Sequence, residues 1–373
     1  MHTPRDRHDL AEIIAAAAGK GETLELAGGG SKAAIGAPRE ASRVSLAALA
    51  GVVDYDPAEL VLTVRPATPL AEVQQLVAGQ GQMLAFEPWD HAPLLGADAH
   101  ATIGGVVAAG VAGSRRVTAG SARDHLLGFT AISGRGESFV AGAKVVKNVT
   151  GYDLPKLMAG SWGRLGAMVE LTLKVLPRPR TELTLALDGL SPAAAHAAMA
   201  RALGSNAEVS AAAHLQSGLT LFRLAGFEPS VAARARHLPA ILADHGRLRP
   251  LDAEEAAPAW QRAMTASGLA GAVLWRVHLQ PANMPHLLAG WAGEWACDWG
   301  GGLVWLATDV QDDAVRQRAA ELGGEATLIR AGDDIRARVP TFQPRTPGVM
   351  ALESRVRRAF DPAGVFETAR FQD

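Results

Sequence analysis

Apolar residues in the opening segment fall at helical spacing. Leu10, Ile13, Ile14 and Ala17 share one face of a helix predicted over residues 5–18. Thr23–Leu26 then reads as a short strand running into three glycines. "RVSLAAL" (43–49) and "ELVLTVRP" (59–66) read as two more, with β-branched residues alternating through Val61–Val64. "TPLAEVQQLVAGQG" (68–81) predicts a helix: Thr68 suits its cap, Pro69 its first position, and Gly79 and Gly81 its end. "LLGFTAISGRGESFVAGA" (126–143) has the pattern of a hairpin turning at "SGRG". Tyr152–Ala159 predicts a helix and Ala167–Leu176 a strand. "PRPR" at 177–180 ends the pattern and marks a boundary.

Beyond residue 181 the pattern changes. "ELTLAL" (182–187), "GLTLFRLAGF" (218–227), "GAVLWRVHLQP" (271–281) and "GGLVWLATDV" (301–310) are strand-like. They alternate with helical stretches such as Pro192–Leu203 and Asp312–Leu322, the order expected of an α+β domain on an antiparallel sheet. "SRVRRAFDPAGVF" (354–366) closes the chain as a helix ending at Asp361-Pro362. Six tryptophans at 260, 275, 291, 295, 299 and 305 fit either core packing or an interface rich in indoles.

Composition narrows the class. A chain of 373 residues that is 48% apolar can build two domains with real cores. Lys plus Arg (36) nearly cancels Asp plus Glu (38), which argues against a nucleic-acid partner. The single cysteine, Cys297, rules out an internal disulfide framework and a four-cysteine iron–sulfur cluster held by this chain alone. The short apolar run Ile13–Ala18 is no secretory core, and no stretch is long enough to span a bilayer. The expectation is a cytoplasmic protein that meets the inner membrane only indirectly, through partners.

The candidate chemistry lies in glycine clusters. "GGGSK" (28–32) follows a strand, where residues lacking Cβ let backbone N–H groups converge on a phosphate and Ser31 adds a donor. It matches neither G-x-x-x-x-G-K-[ST] nor G-x-G-x-x-G, so neither a kinase-type P-loop nor a Rossmann fingerprint is present there. "TIGGVVAAG" (102–110) sets Thr102, Gly104 and Gly105 at a helix N-terminus, suited to a diphosphate. "AGSRRVTAGSARD" (112–124) places Gly113, Gly120, Ser121 and Asp124 in a loop able to follow a flat ligand. "VVKNVTGYDLPKLMAGSWGRLGAMVE" (145–170) adds a turn with Gly160, Gly163 and Gly166.

In this order, together with "FDPAGVF", these motifs resemble the FAD-binding flavoproteins of the vanillyl-alcohol oxidase/p-cresol methylhydroxylase (PCMH-type) family. Within it the likeness is greatest to the small FAD-binding subunits of bacterial glycolate oxidases. It covers most of residues 22–180 and the last thirty or so; the middle of the chain resembles the family only in position. The resemblance implies an α+β protein: a PCMH-type FAD-binding domain of two α+β subdomains (1–180), an α+β cap domain with an antiparallel sheet (181–345), and a C-terminal segment (346–373) returning to the FAD domain. It implies non-covalent FAD. Gly28, Gly29, Gly30, Ser31 and Lys32 would hold the diphosphate, faced by Thr102, Gly104 and Gly105. Gly113, Ser114, Gly120, Ser121 and Asp124 would line the flavin and its chain. Gly163, Gly166 and Met168 would border the adenosine half.

The implied function is oxidation of glycolate, or another small 2-hydroxy acid, to the 2-oxo acid, within a complex holding a catalytic flavin subunit and an iron–sulfur subunit. Two alternatives stand beside it: a non-catalytic FAD-binding or scaffold subunit, and a self-sufficient FAD-dependent alcohol or lactone oxidase. The sequence lacks the H-x-G-D-G-N and E-H-G motifs typical of the family's 2-hydroxy-acid dehydrogenases; His245 and His278 each stand alone, and no catalytic residue or metal ligand is assigned. Lys147 and Asn148 suit the flavin face or a structural loop. Asp153 suits a helix start. Arg115 and Arg116 suit a substrate carboxylate or an ion-paired surface. His91, His100 and His125 lie near the glycine loops, with nothing to single one out for covalent flavin attachment.

Overall fold

The computed structural model describes residues 1–142, 151–310 and 313–371, which fall into two units. The first comprises residues 1–112, 120–178 and 344 onwards; the second comprises 113–119 and 179–343.

The first unit opens with helix Arg7–Lys20. Asp6 caps its start by accepting from the N–H groups of His8 and Asp9, and Gly21, at φ +68°, closes its end. Its buried face, Leu10, Ile14 and Ala17, packs in one core with Leu24 of β1 (Leu24–Ala27) and Val44 of β2 (Ser42–Ser45), a parallel pair. Beside it are β3 (Val52–Asp56), β4 (Val61–Val64), β5 (Gln82–Met83), β6 (Leu126–Ile132), β7 (Ser138–Gly142), β8 (Ala167–Lys174) and β9 (Leu176–Pro177). Five of these form an antiparallel sheet in the order β3-β4-β8-β6-β7, and β5 pairs with β9. Central strand β8 buries Leu171 and Leu173 completely, and Val169 reaches the core under the first helix. The C-terminal helix Pro347–Phe360 leads to Asp361, whose carboxylate accepts from the N–H groups of Val365 (2.9 Å) and Phe366 (2.8 Å). Leu24 N–H then donates to the Val365 carbonyl at 2.7 Å, tying this end of the chain to β1.

Thr68 is not the cap its position predicts. Its buried hydroxyl donates to the Arg65 carbonyl (2.7 Å) and accepts from Gly51 N–H (2.9 Å), holding two loops together; helix Leu70–Ala78 starts without a side-chain cap.

In the second unit β10 (Thr181–Leu187), β11 (Ala211–Leu215), β12 (Thr220–Gly226), β13 (Arg249–Leu251), β14 (Val273–His278), β15 (Glu294–Asp298), β16 (Leu303–Thr308) and β17 (Glu325–Arg330) form one antiparallel sheet. Its order is β13-β10-β12-β11-β15-β16-β14-β17. Helices Pro192–Leu203 and Glu228–Ile241 bring Ala195, Met199, Val231 and Leu238 into a core with Trp275, Val277 and Leu306. The tryptophans follow the packing alternative. Trp275, Trp295, Trp299 and Trp305 are buried, and Trp260 and Trp291 half-buried. Strands β15 and β16 are central, which is why their sequence is so apolar. Among the described residues no helix is long and apolar enough to cross a membrane.

Candidate functional site

Three glycine segments of the first unit are held together by backbone contacts. The first meets the second at a parallel bridge between Gly30 and His100, where His100 N–H donates to the Gly29 carbonyl (3.3 Å). The second meets the third where Gly160 N–H donates to the Val107 carbonyl (3.0 Å) and Trp162 N–H to the Ala108 carbonyl (2.8 Å). The cavity they enclose lies wholly within this unit. Its wall includes Gly28, Gly29, Gly30, Ser31 and Lys32, then Thr102, Gly104 and Gly105, then Gly163, Gly166 and Met168, and finally residues 366–371 of the C-terminal segment.

The glycines serve different ends. A Cβ on Gly29 would sit 2.1 Å from the His100 carbonyl oxygen, and one on Gly104 would sit 2.5 Å from Pro66 Cβ. These two are glycine because protein backbone passes close by. Gly30 and Gly163, at φ +83° and +78°, occupy the left-handed region that favours glycine. Gly105 differs: a Cβ there would meet only Thr102 Oγ1, at 3.4 Å, so its absent side chain leaves the cavity open.

The electrostatics favour an anion. Among the described residues, Lys32, Arg43, Arg164 and Arg370 line the wall against Glu25 and Glu367. Arg164 pairs with Glu367 (2.9 Å) and Arg370 approaches Glu25 (3.9 Å). Lys32 is buried, and among the described residues its ammonium makes no hydrogen bond or ion pair; the buried Ser31 hydroxyl makes no hydrogen bond either. Desolvation pulls the Lys32 pKa down to about 8; Asp90 opposes the shift and Arg370 adds to it. An enclosed cation without a partner, beside a free hydroxyl and open glycine backbone, fits the diphosphate of a dinucleotide.

The other sequence candidates lie elsewhere or are engaged. Gly113 and Ser114 belong to the second unit, where the Ser114 hydroxyl donates to Asp298 (2.6 Å). Asp124 accepts from Ser121 N–H (2.8 Å) in a capping box, and a Cβ on Gly120 would strike that carboxylate. Arg115 pairs with Glu182, and Arg116 lies over the Trp299 ring. Asp153 caps helix Leu154–Met158 through Lys156 N–H. His91 stacks on Trp89, and His125 is buried against Phe86, so both serve packing. Lys147 and Asn148 lie outside the described residues. Sequence reasoning does not single out Arg43 or Arg370. Arg370, whose guanidinium bonds to the Lys32 carbonyl, stands 338 positions from it, and no local pattern announces such a contact.

Comparison with known proteins shows the family and the fold. Residues 1–142 match the FAD binding domain family. Glycolate oxidase subunit GlcE of Escherichia coli (strain K12) is 37% identical over 352 residues, spanning 93% of this chain and 92% of that protein. D-lactate dehydrogenase of Anaerostipes hadrus is 34% identical over 142 residues, 38% of this chain and 28% of its own length. Among solved structures, p-cresol methylhydroxylase with substrate bound aligns with a TM-score of 0.70, covering 99% of this chain and 87% of that one; at 14% identity it shows the fold. With near-full-length similarity, a matched FAD-binding domain and a PCMH-type fold, the chain belongs to the glycolate oxidase subunit GlcE family, and its cofactor is FAD.

Proposed function

We propose that this chain is the FAD-binding subunit of a complex that oxidises glycolate or a related 2-hydroxy acid. The observation that carries the reading is the near-full-length similarity to GlcE, joined to a cavity whose buried Lys32 has no partner among the described residues. Gly28–Lys32 hold the diphosphate, with the Lys32 ammonium and Ser31 hydroxyl as side-chain donors. Thr102, Gly104 and Gly105 form the facing wall. Gly163, Gly166 and Met168 border the adenosine half. Gly120, Ser121 and Asp124 shape the loop beyond the cavity. The FAD is bound non-covalently. When bound, FAD would supply the two-electron acceptor for oxidising the hydroxy acid to a 2-oxo acid, with an iron–sulfur partner as the onward acceptor, and the residues named above would hold and orient it.

A second reading, in which this chain relays electrons or supports a separate catalytic flavin subunit, is favoured by the missing H-x-G-D-G-N motif. Co-purification from the native host with an absorbance spectrum separates the two. Flavin bands, a cluster-bearing partner and bleaching by glycolate in this chain's own flavin support the first. A yellow chain whose flavin is reduced only after its partners are added supports the relay. A colourless chain that takes up no added FAD overturns the first reading and the relay, and leaves only the supporting role.

A further inference from the structure

Strand β14 carries an unusual pair. Trp275 and Val277 enter the core, so Arg276 and His278 project from the opposite face of the sheet. Both keep accessible surface, yet neither makes a hydrogen bond or ion pair among the described residues, and Arg276 Nε and His278 Nε2 are enclosed without partners. The Arg276 guanidinium lies 5.2 Å from the ring centre of Trp299, and Arg116, arriving on residues 113–119, lies 4.9 Å from the same ring. His278 tilts against that indole at 5.1 Å. The indole is fixed: its Nε1 donates to the Gly113 carbonyl (2.9 Å), and its backbone N–H donates to Asp298 (2.7 Å). Trp299 also holds φ +57°, a region a bulky side chain occupies at a cost.

Among the described residues, the Arg116 and Arg276 guanidinium groups both lie at this corner, where the Asp298 carboxylate accepts from the Ser114 hydroxyl and acts electrostatically on Arg276. Desolvation, reinforced by Arg116, lowers the Arg276 pKa to about 10; desolvation, reinforced by Arg276 and Arg116, pushes His278 well below its ordinary value. A planar fork of five donors without a protein acceptor matches a carboxylate in two-point contact. A neutral imidazole beside it suits a hydroxyl or carbonyl oxygen on the next carbon, and the indole face supplies an apolar floor.

We propose that Arg276, Arg116 and His278, arranged around Trp299, form a binding site for a small organic acid bearing an oxygen on Cα. Arg276 takes the carboxylate, Arg116 adds charge from the other side, and His278 meets the Cα oxygen. The choice of ligand class rests on the 2-hydroxy-acid reading above; the anion site itself rests on the geometry of the second unit.

The test is calorimetric titration of the full-length FAD-loaded chain with glyoxylate and with oxalate, using chloride as control. Saturable binding of either acid is expected, weakened at least tenfold by Arg276→Met and by Arg116→Met. Arg276→Lys, which keeps the charge but loses the fork, should recover part of it. Arg276→Met should melt no lower than the parent when no acid is present, because it removes an unpaired enclosed charge; a purely structural arginine would lower the melting temperature. Should Arg276→Met not fold, Arg116→Met decides alone. Failure of both acids to bind, or equal binding by parent and variants, overturns the site. Acid binding without flavin reduction by any hydroxy acid in the native complex leaves the site standing and removes the oxidation reading. Flavin reduction unchanged in Arg276→Met does the reverse.

Discussion

Lys32 is where pH should act on cofactor affinity. Its folded pKa of about 8 lies below the ordinary 10.5. Between these values the unfolded chain binds more protons than the FAD-free folded one, so the stability of the free protein rises with pH across that window. Below pH 8 the enclosed ammonium costs on the order of 3 kcal/mol. A bound diphosphate restores the charge, so binding takes up a proton above pH 8. FAD affinity, followed by flavin fluorescence from pH 7 to 9.5, should fall as pH rises past 8, by up to about tenfold per unit. In Lys32→Met the profile should be flat and the FAD-free melting point higher. Parallel profiles would remove Lys32 from the diphosphate site. Two neighbouring glycines give a sharper contrast. Gly104→Ala drives a methyl group into Pro66 and should cost about 2 kcal/mol in denaturant melts. Gly105→Ala puts its Cβ in contact with Thr102 Oγ1 alone, at 3.4 Å, so the fold should survive while FAD uptake drops. Equal melting points for the two variants would contradict this division.

At the scale of elements, legibility follows locality. The hairpin at "SGRG" and helix Pro192–Leu203 can be read directly because turn chemistry and periodicity sit within a few residues. Strand β3, with Val52 and Val53 exposed at a sheet edge, shows no alternation to find. Strand β15 hides inside "WAGEWACDWGGG", where burial on both faces erases the period of two. The glycine segments are legible as a set; which glycines answer to Pro66 or His100 is not, since those contacts come from elsewhere in the chain. Ser114 reads as part of a flavin loop, but its hydroxyl is bonded to Asp298, 184 residues away. Ser114→Ala should therefore cost about 2 kcal/mol, the loss of a buried hydrogen bond to a charged group, with faster amide exchange confined to residues 113–119. A variant as stable as the parent would show that this bond does not anchor the segment. The Arg276 corner has its own sequence signal in "WRVH", two polar residues alternating with two core ones.

At the scale of the whole molecule, charge balance and the cysteine count exclude several function classes by themselves. They cannot reveal the cation excess in the cavity, because Arg43, Arg164 and Arg370 are gathered from three distant parts of the chain. The family assignment likewise depends on the order of motifs along the whole sequence.

The route of the backbone has a practical outcome for anyone dissecting this protein. The chain leaves the first unit at residue 113, comes back at 120, leaves again at 179 and returns at 344. No single cut yields either half intact. A fragment stopped near residue 178 would keep seven residues whose Trp299 and Asp298 supports are gone, and would lose the C-terminal strap on β1. The excised remainder would lack Ser114 and Arg116. Splitting or transplanting either half calls for a redesigned crossing at 113–119, and point substitution is the cleaner tool for assigning roles.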